Sequence, residues 1–360
     1  MPSGRLGETL VVPFVPDDVP EPLVPLVPAG VLERWRSADR GVHAPRLVAV
    51  TGPDGWSGAA LVTARPHTAY LKVVDAVGDV AAVVEAVVAL ARTEGCAQVK
   101  WEGWTVTAAD AARAGFAPLQ APLADAGDTG GLTTGYVRWL GGAAVVEPPY
   151  YRQTTDFSCG AVVALVAQVQ AGAVDRAEID RPAELTLWRA ATNFNACEPV
   201  GLGVAVRRAW PASPVTIALD VDRPVILEVY PEADREWRAV LQRESRAEAG
   251  RLGVPIDAER LSVPRLRAAL GKGEQVLLLI SLATMQGFPV PHWVLAHGTL
   301  PGAVVVEDPW VHVAAGETWV DAHLLPVPDD ALEDMAAWEG DRFRGAVRIG
   351  PPERATGGAG

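Results

Sequence analysis

The stretch GGAAVVEPPYYRQ, Gly141 to Gln153, breaks the chain with paired glycines and paired prolines, which neither a helix interior nor a central strand accepts. It separates a first part of short apolar runs around one amphipathic helix from a second part with a different rhythm. A chain of 360 residues is long enough for two such units, each burying its own core. The expected class is α/β (α+β), with one domain over residues 1–143 and a second over 144–350. The tail at 351–360, PPERATGGAG, is of low complexity and is expected to be disordered.

In the first unit, LVVPFVPDD (Leu10 to Asp18) reads as a strand entering a turn, and RLVAV, WSGAALVTARP and TAYLKVVDAV as three more. Asp79 then caps a helix in which Val80, Val83, Val84, Val87 and Leu90 recur at helical spacing, and Gly95 ends it. CAQVKWEGW returns as a strand, AADAARAGF forms a short helix, and TTGYVRWL closes the unit. This order resembles the GNAT acyltransferase fold over roughly residues 8–140. The resemblance implies a basic, glycine-rich turn at the start of the capped helix, where backbone N–H groups hold the pyrophosphate of CoA. The corresponding segment here, VDAVGDVAA, has one glycine, no arginine, and Asp75 and Asp79 where phosphate belongs. A carboxylate at a helix N-terminus takes that place and repels an anion. The expectation is a GNAT-like scaffold without an acetyl-CoA site, and no cofactor.

The second unit opens on QTTDFSCGAVVAL, which sets Cys159 between a polar turn and an unbroken apolar run. A thiol at a helix N-terminus sits where the dipole favours thiolate, the nucleophilic form. Gly160, without a β-carbon, is expected to leave the backbone amides of the turn open to an approaching carbonyl oxygen. A nucleophilic cysteine needs a base, and of the six histidines His292 stands out, because PHWVLAHG places it at the start of a strand. His297, an odd number of residues further along, would face the other way. Asp308 ends the run VVVEDPW. If that run pairs antiparallel with PHWVLAHG, their outer ends meet and Asp308 can fix the imidazole tautomer. Gln153 lies close enough before Cys159 to donate its amide to an oxyanion beside the Cys159 N–H.

Together, QTTDFSCG, HWVLAHG and VVVEDPW are similar in order and spacing to the C39 family of papain-fold cysteine peptidases. More closely they resemble the C39-like branch that follows a GNAT-like domain in one chain. The resemblance covers about residues 148–350 and implies that Cys159 is nucleophile, His292 base, Asp308 its orienter and Gln153 an oxyanion donor. It implies peptide or isopeptide cleavage through a thioester, with no metal and no organic cofactor. The family usually reads CGPAC at the nucleophile, whereas this chain reads CGAVV. Its best-known members cut leader peptides after a double glycine and are fused to transporters, and this sequence shows neither transporter helices nor an ATPase motif. The same triad also serves amide-forming acyl transfer, and a drifted triad leaves a non-catalytic binding protein. The segment from Tyr230 to Leu270 exceeds a minimal domain of this kind and is expected to shape the cleft.

Composition narrows the partners. A formal charge of −13 argues against a non-specific hold on nucleic acid or an anionic membrane, and a peptide or protein substrate is what the resemblance implies. No apolar window is long enough to span a bilayer, and the first thirty residues lack the pattern of a signal peptide. The three cysteines, Cys96, Cys159 and Cys197, are odd in number and far apart, which fits a reducing cytoplasm. Cys197 reads as structural, and GLGVAV lacks the last glycine of a dinucleotide fingerprint. Trp101, Trp104 and Trp188 read as core, and Trp293 and Trp310 as core that can also wall the cleft. The apolar runs QVLLLISL and AVVVEDPW are expected to be adjacent buried strands.

Overall fold

The computed structural model describes residues 8–123, 131–142, 145–191, 195–338 and 340–351. The expected tail, apart from Pro351, and Ala143 and Ala144 of the linker lie outside the described residues. The chain forms two compact units. One is built on the residues up to Ala121 together with Val311–Pro326, a segment that the sequence alone assigns to the second half. The other is built on Val145–Trp310 and the residues from Val327 onward.

The N-terminal unit runs β1 (Thr9–Pro13), α1 (Ala29–Arg36), β2 (Arg46–Gly52), β3 (Gly55–Thr63), β4 (Tyr70–Gly78), α2 (Val80–Thr93), β5 (Gln98–Glu102), α3 (Ala108–Arg113), β6 (Ala117–Pro118) and β7 (Gly135–Trp139). Its sheet has the order β1-β2-β3-β4-β5-β7-β6. The β4–β5 pair, which flanks the crossover through α2, is parallel, and the other pairs are antiparallel. Strand alternation explains why β2 and β3 are apolar at nearly every position: both faces are covered. Val48, Val50, Ala60 and Val62 join Val83, Val84 and Val87 of α2 in one core. Leu47, Ala49, Ala59 and Leu61 pack with Trp35 of α1 on the opposite face. Asp79 caps α2 by accepting from Ala82 N, and Gly95 follows its end at φ +73°.

In the second unit the helices α4 (Cys159–Gln170), α5 (Arg181–Ala191) and α6 (Pro199–Ala209) come first. There follow β8 (Val215–Leu219), α7 (Glu232–Arg251), β9 (Ile256–Asp257), α8 (Val263–Gly271), β10 (Gln275–Ser281), α9 (Ala283–Gln286), β11 (Pro291–Leu300) and β12 (Ala303–Glu307). After α10 (Trp319–Ala322), which belongs to the N-terminal unit, come β13 (Leu325–Pro328), α11 (Asp329–Met335) and β14 (Gly345–Ile349). The second sheet has the order β13-β12-β11-β10-β14-β8-β9. QVLLLISL and AVVVE are therefore not neighbours: β11 lies between them and pairs antiparallel with both. Two short connections make a hairpin on each side of β11, so it takes the central place.

Helix α4 is apolar around most of its circumference because it is a core helix, packed with Leu277, Leu279, Trp293 and Leu295 of the sheet. GLGVAV lies inside α6, where its glycines serve close packing and no nucleotide. A β-carbon on Gly203 would meet Ile217 of β8 at 2.5 Å.

Candidate active site

Three segments converge on Cys159. The first is the turn Gln153–Ser158, whose backbone must change direction before α4 begins. A buried carboxylate on α5, Glu184, ties it down: it accepts from Thr154 N (2.8 Å), Thr154 Oγ1 (2.9 Å), Tyr151 Oη (3.0 Å) and Ser158 Oγ. Ser158, the N-cap residue of α4, makes no side-chain cap bond, since its hydroxyl is committed to Glu184. Glu184 is absent from the reading of the sequence. Its only trace there is an acidic residue in the first turn of a short amphipathic helix, and nothing local says where it points.

The other two segments are β11 and the end of β12. The register Leu295↔Glu307 runs the residues after Glu307 alongside the start of β11. There His292 Nε2 meets Asp308 Oδ1 at 2.7 Å, and both side chains are buried. Asp308 Oδ1 also accepts from Trp310 N at 2.8 Å, and the Asp308 carbonyl accepts from Tyr150 Oη at 3.2 Å. These bonds fix the carboxylate before the imidazole uses it. With Nε2 engaged by Asp308, the other ring nitrogen is left for Cys159, which lines the same cavity as His292.

The electrostatics follow. Burial works against a charge on His292, but the Asp308 carboxylate and then Cys159 outweigh it, and its pKa rises to about 10. His292 thus holds its proton through neutral pH. The other two cysteines are suppressed. Burial, with help from Glu94, pushes the Cys96 thiol up to about 11, and burial raises Cys197 well above its ordinary value.

Gln153 is buried and lines the cavity that Cys159 opens on, but its Nε2 donates to Thr155 O at 2.6 Å, which leaves one amide hydrogen for another acceptor. Gln153 N donates to Pro309 O at 2.9 Å, which joins the turn to the Asp308 segment. Gly160 also serves packing. A β-carbon there would come within 3.2–3.3 Å of Trp293, Cys197 and Leu202, so the glycine permits tight packing behind the turn. His297 bonds Glu307 Oε1 at 3.1 Å beside a bulge in β11. Trp310 lines the cavity, whereas Trp293 is buried and donates to Cys197 O at 3.0 Å. Of the Tyr230–Leu270 segment, Tyr230 reaches the cavity. Among the described residues no group of three or more His, Cys, Asp or Glu is gathered as a metal site would need.

In the N-terminal unit a CoA pyrophosphate would sit at the start of α2. Asp79 fills that helix end with its own carboxylate, and its N–H is taken by Ser57 O at 2.8 Å. Asp75 is buried and bonded to Arg34 and Thr105. These residues do not fit a pyrophosphate.

A family model described as the Peptidase_C39 like family matches residues 148–350. No curated protein matches the chain. Among solved structures, a protein described as a C39-like peptidase from Bacillus anthracis is 10% identical, covering 57% of this chain and 98% of its own, with a TM-score of 0.33. An acetyltransferase from Bacillus subtilis in complex with CoA is 9% identical, covering 37% of this chain and 99% of its own, with a TM-score of 0.25. A protein described as a GNAT-family acetyltransferase from Desulfovibrio desulfuricans is 17% identical, with the same coverage and a TM-score of 0.26.

Proposed function

The chain belongs to the Peptidase_C39 like family, and on that footing we propose that it is a cysteine peptidase with Cys159 as nucleophile. One observation carries the reading: Cys159 and His292, from separate segments, line one cavity, and a third segment sets Asp308 Oδ1 at 2.7 Å from His292 Nε2. In the proposed reaction the Cys159 thiolate attacks a peptide carbonyl carbon, and the tetrahedral oxyanion takes a hydrogen bond from the Cys159 N–H and a second from the free amide hydrogen of Gln153. His292, protonated in the resting state, passes its proton to the departing amine as the C–N bond breaks. The resulting thioester is hydrolysed by a water that gives its proton to His292, which releases the acid and restores the thiolate. Asp308 holds the imidazole in place throughout and stays ionised. The three cysteines are unpaired, as a nucleophilic thiol working in the reducing cytoplasm requires.

The test is to trap the acyl-enzyme. The full chain is mixed with a peptide library, quenched in acid and analysed by mass spectrometry. The expected result is a hydroxylamine-sensitive adduct on Cys159 and carboxylic acid products in solution. Amide products formed only when an amine is added would make it a transferase, and no adduct on Cys159 with any peptide would refute the acyl-enzyme.

A further inference from the structure

The cavity beside Cys159 has a volume of about 460 Å³, far more than a double-glycine segment fills. Its walls are mostly apolar. Phe157, Leu282, Phe288 and Trp310 line it, with the Phe288 and Trp310 rings edge to face at 5.5 Å. At its rim Val229 and Val290 remain 43% and 42% exposed, so apolar surface continues outward from the cavity. The charged groups in the lining are His292, already answered by Asp308 and Cys159, and Asp156. Asp156 is exposed and, among the described residues, has no ion-pair partner. The whole chain carries −13, which adds to the attraction for a cation.

Building on the peptidase reading, we propose that the substrate presents a large apolar side chain, aromatic or long aliphatic, next to the scissile carbonyl, with a basic residue beside it facing Asp156. The apolar side chain leaves water for the Phe157–Phe288–Trp310 walls, and the basic group meets the one unanswered carboxylate of the lining. A glycine at that position would leave the cavity wet and the rings without contacts.

The experiment separates this from the catalytic reading by measuring binding. Full-length Cys159→Ala protein is titrated in a calorimeter with blocked hexapeptides in which one position is Phe, Leu or Gly and its neighbour is Lys or norleucine. The Phe and Leu peptides should bind about tenfold or more tighter than the Gly peptide, the range expected for burying one such side chain. Lys should be favoured over norleucine by about two- to fivefold at low salt, and Asp156→Asn should remove that preference. Trp310→Ala and, separately, Phe157→Ala should erase the advantage of Phe, with circular dichroism confirming that each variant folds. Equal affinity for Gly and Phe peptides, or no binding of either at millimolar concentration, would overturn the proposal. If the Phe peptide binds tightly but the native protein never cleaves it, the peptidase reading fails and the pocket stands. If Gly and Phe peptides are cleaved equally well, the pocket assignment fails and the peptidase reading stands.

Discussion

At the scale of single residues, His292 is the group whose charge state reports the site. Its folded pKa of about 10 lies above the ordinary 6.5, so its contribution to stability is present in full below pH 6.5 and is lost as pH rises through 10. The stability difference between the native protein and His292→Ala should therefore be largest in mild acid and shrink in alkali, as urea unfolding at several pH values will show. Asp308→Asn keeps the shape of the carboxylate but not its charge. It should lower kcat by about 10³–10⁴-fold while leaving substrate binding nearly unchanged. Gln153→Ala should have the smaller effect of a lost oxyanion donor, about 10²-fold in kcat. The candidates could be picked out in the sequence because Cys159, His292 and Asp308 each stand at the end of a regular element, where apolar periodicity stops and a polar side chain must have another reason to be there. The packing behind Gly160 was not legible, because sequence cannot say which side of a turn is crowded.

Among the elements, α4 depends on the turn before it, and the turn depends on Glu184. Four donors meet that buried carboxylate, so Glu184→Ala would take the acceptor from Thr154 N and one acceptor each from the hydroxyls of Thr154, Tyr151 and Ser158, the last of which keeps its contact with Thr155. A buried donor left unsatisfied costs about 1–3 kcal/mol. The variant should unfold at lower temperature and, where it is still folded, should lose Cys159 alkylation rate. Glu184→Gln, which keeps acceptor capacity on one oxygen, should recover part of both. A purely structural role would move the melting temperature and not the rate. The strands of the N-terminal unit and the Asp79-capped helix could be read from alternation and capping. In the second unit α6, β8 and β14 could not: β8 and β14 are single short apolar segments, and α6 carries two glycines that lower helical propensity locally while tertiary packing demands them.

For the molecule as a whole, the least legible feature is the membership of Val311–Pro326 in the N-terminal unit. Buried ionic contacts hold it there. Asp321 takes Lys72 Nζ at 2.5 Å and Tyr70 Oη at 2.8 Å, Glu102 takes Lys72 Nζ at 2.7 Å, and Glu317 takes Arg65 Nη2 at 2.8 Å and His43 Nε2 at 3.1 Å. The signal existed: lysines and a glutamate inside the apolar strands TAYLKVVDAV and CAQVKWEGW call for buried partners, but nothing local says that they come from more than 200 residues away. Asp321→Ala removes one of the two carboxylates on the buried Lys72 ammonium, leaving Glu102, and should destabilise the unit by about 1–3 kcal/mol. Burial opposes the charge of Glu317, but Arg65 and His43 hold its carboxyl well below 4.5. Its contribution is therefore present above pH 4.5 and fades as pH falls below it, so acid should melt this unit early. Within the second unit, segments far apart in sequence set the imidazole and carboxylate of the candidate active site beside Cys159, and the rates at which the three cysteines are alkylated by iodoacetamide at pH 7, in the native protein and in His292→Ala, test that most directly. The account predicts that Cys159 reacts at least about tenfold faster than Cys96 or Cys197 and that His292→Ala removes the advantage. Equal rates for all three, or a fast Cys159 indifferent to the loss of His292, would contradict it.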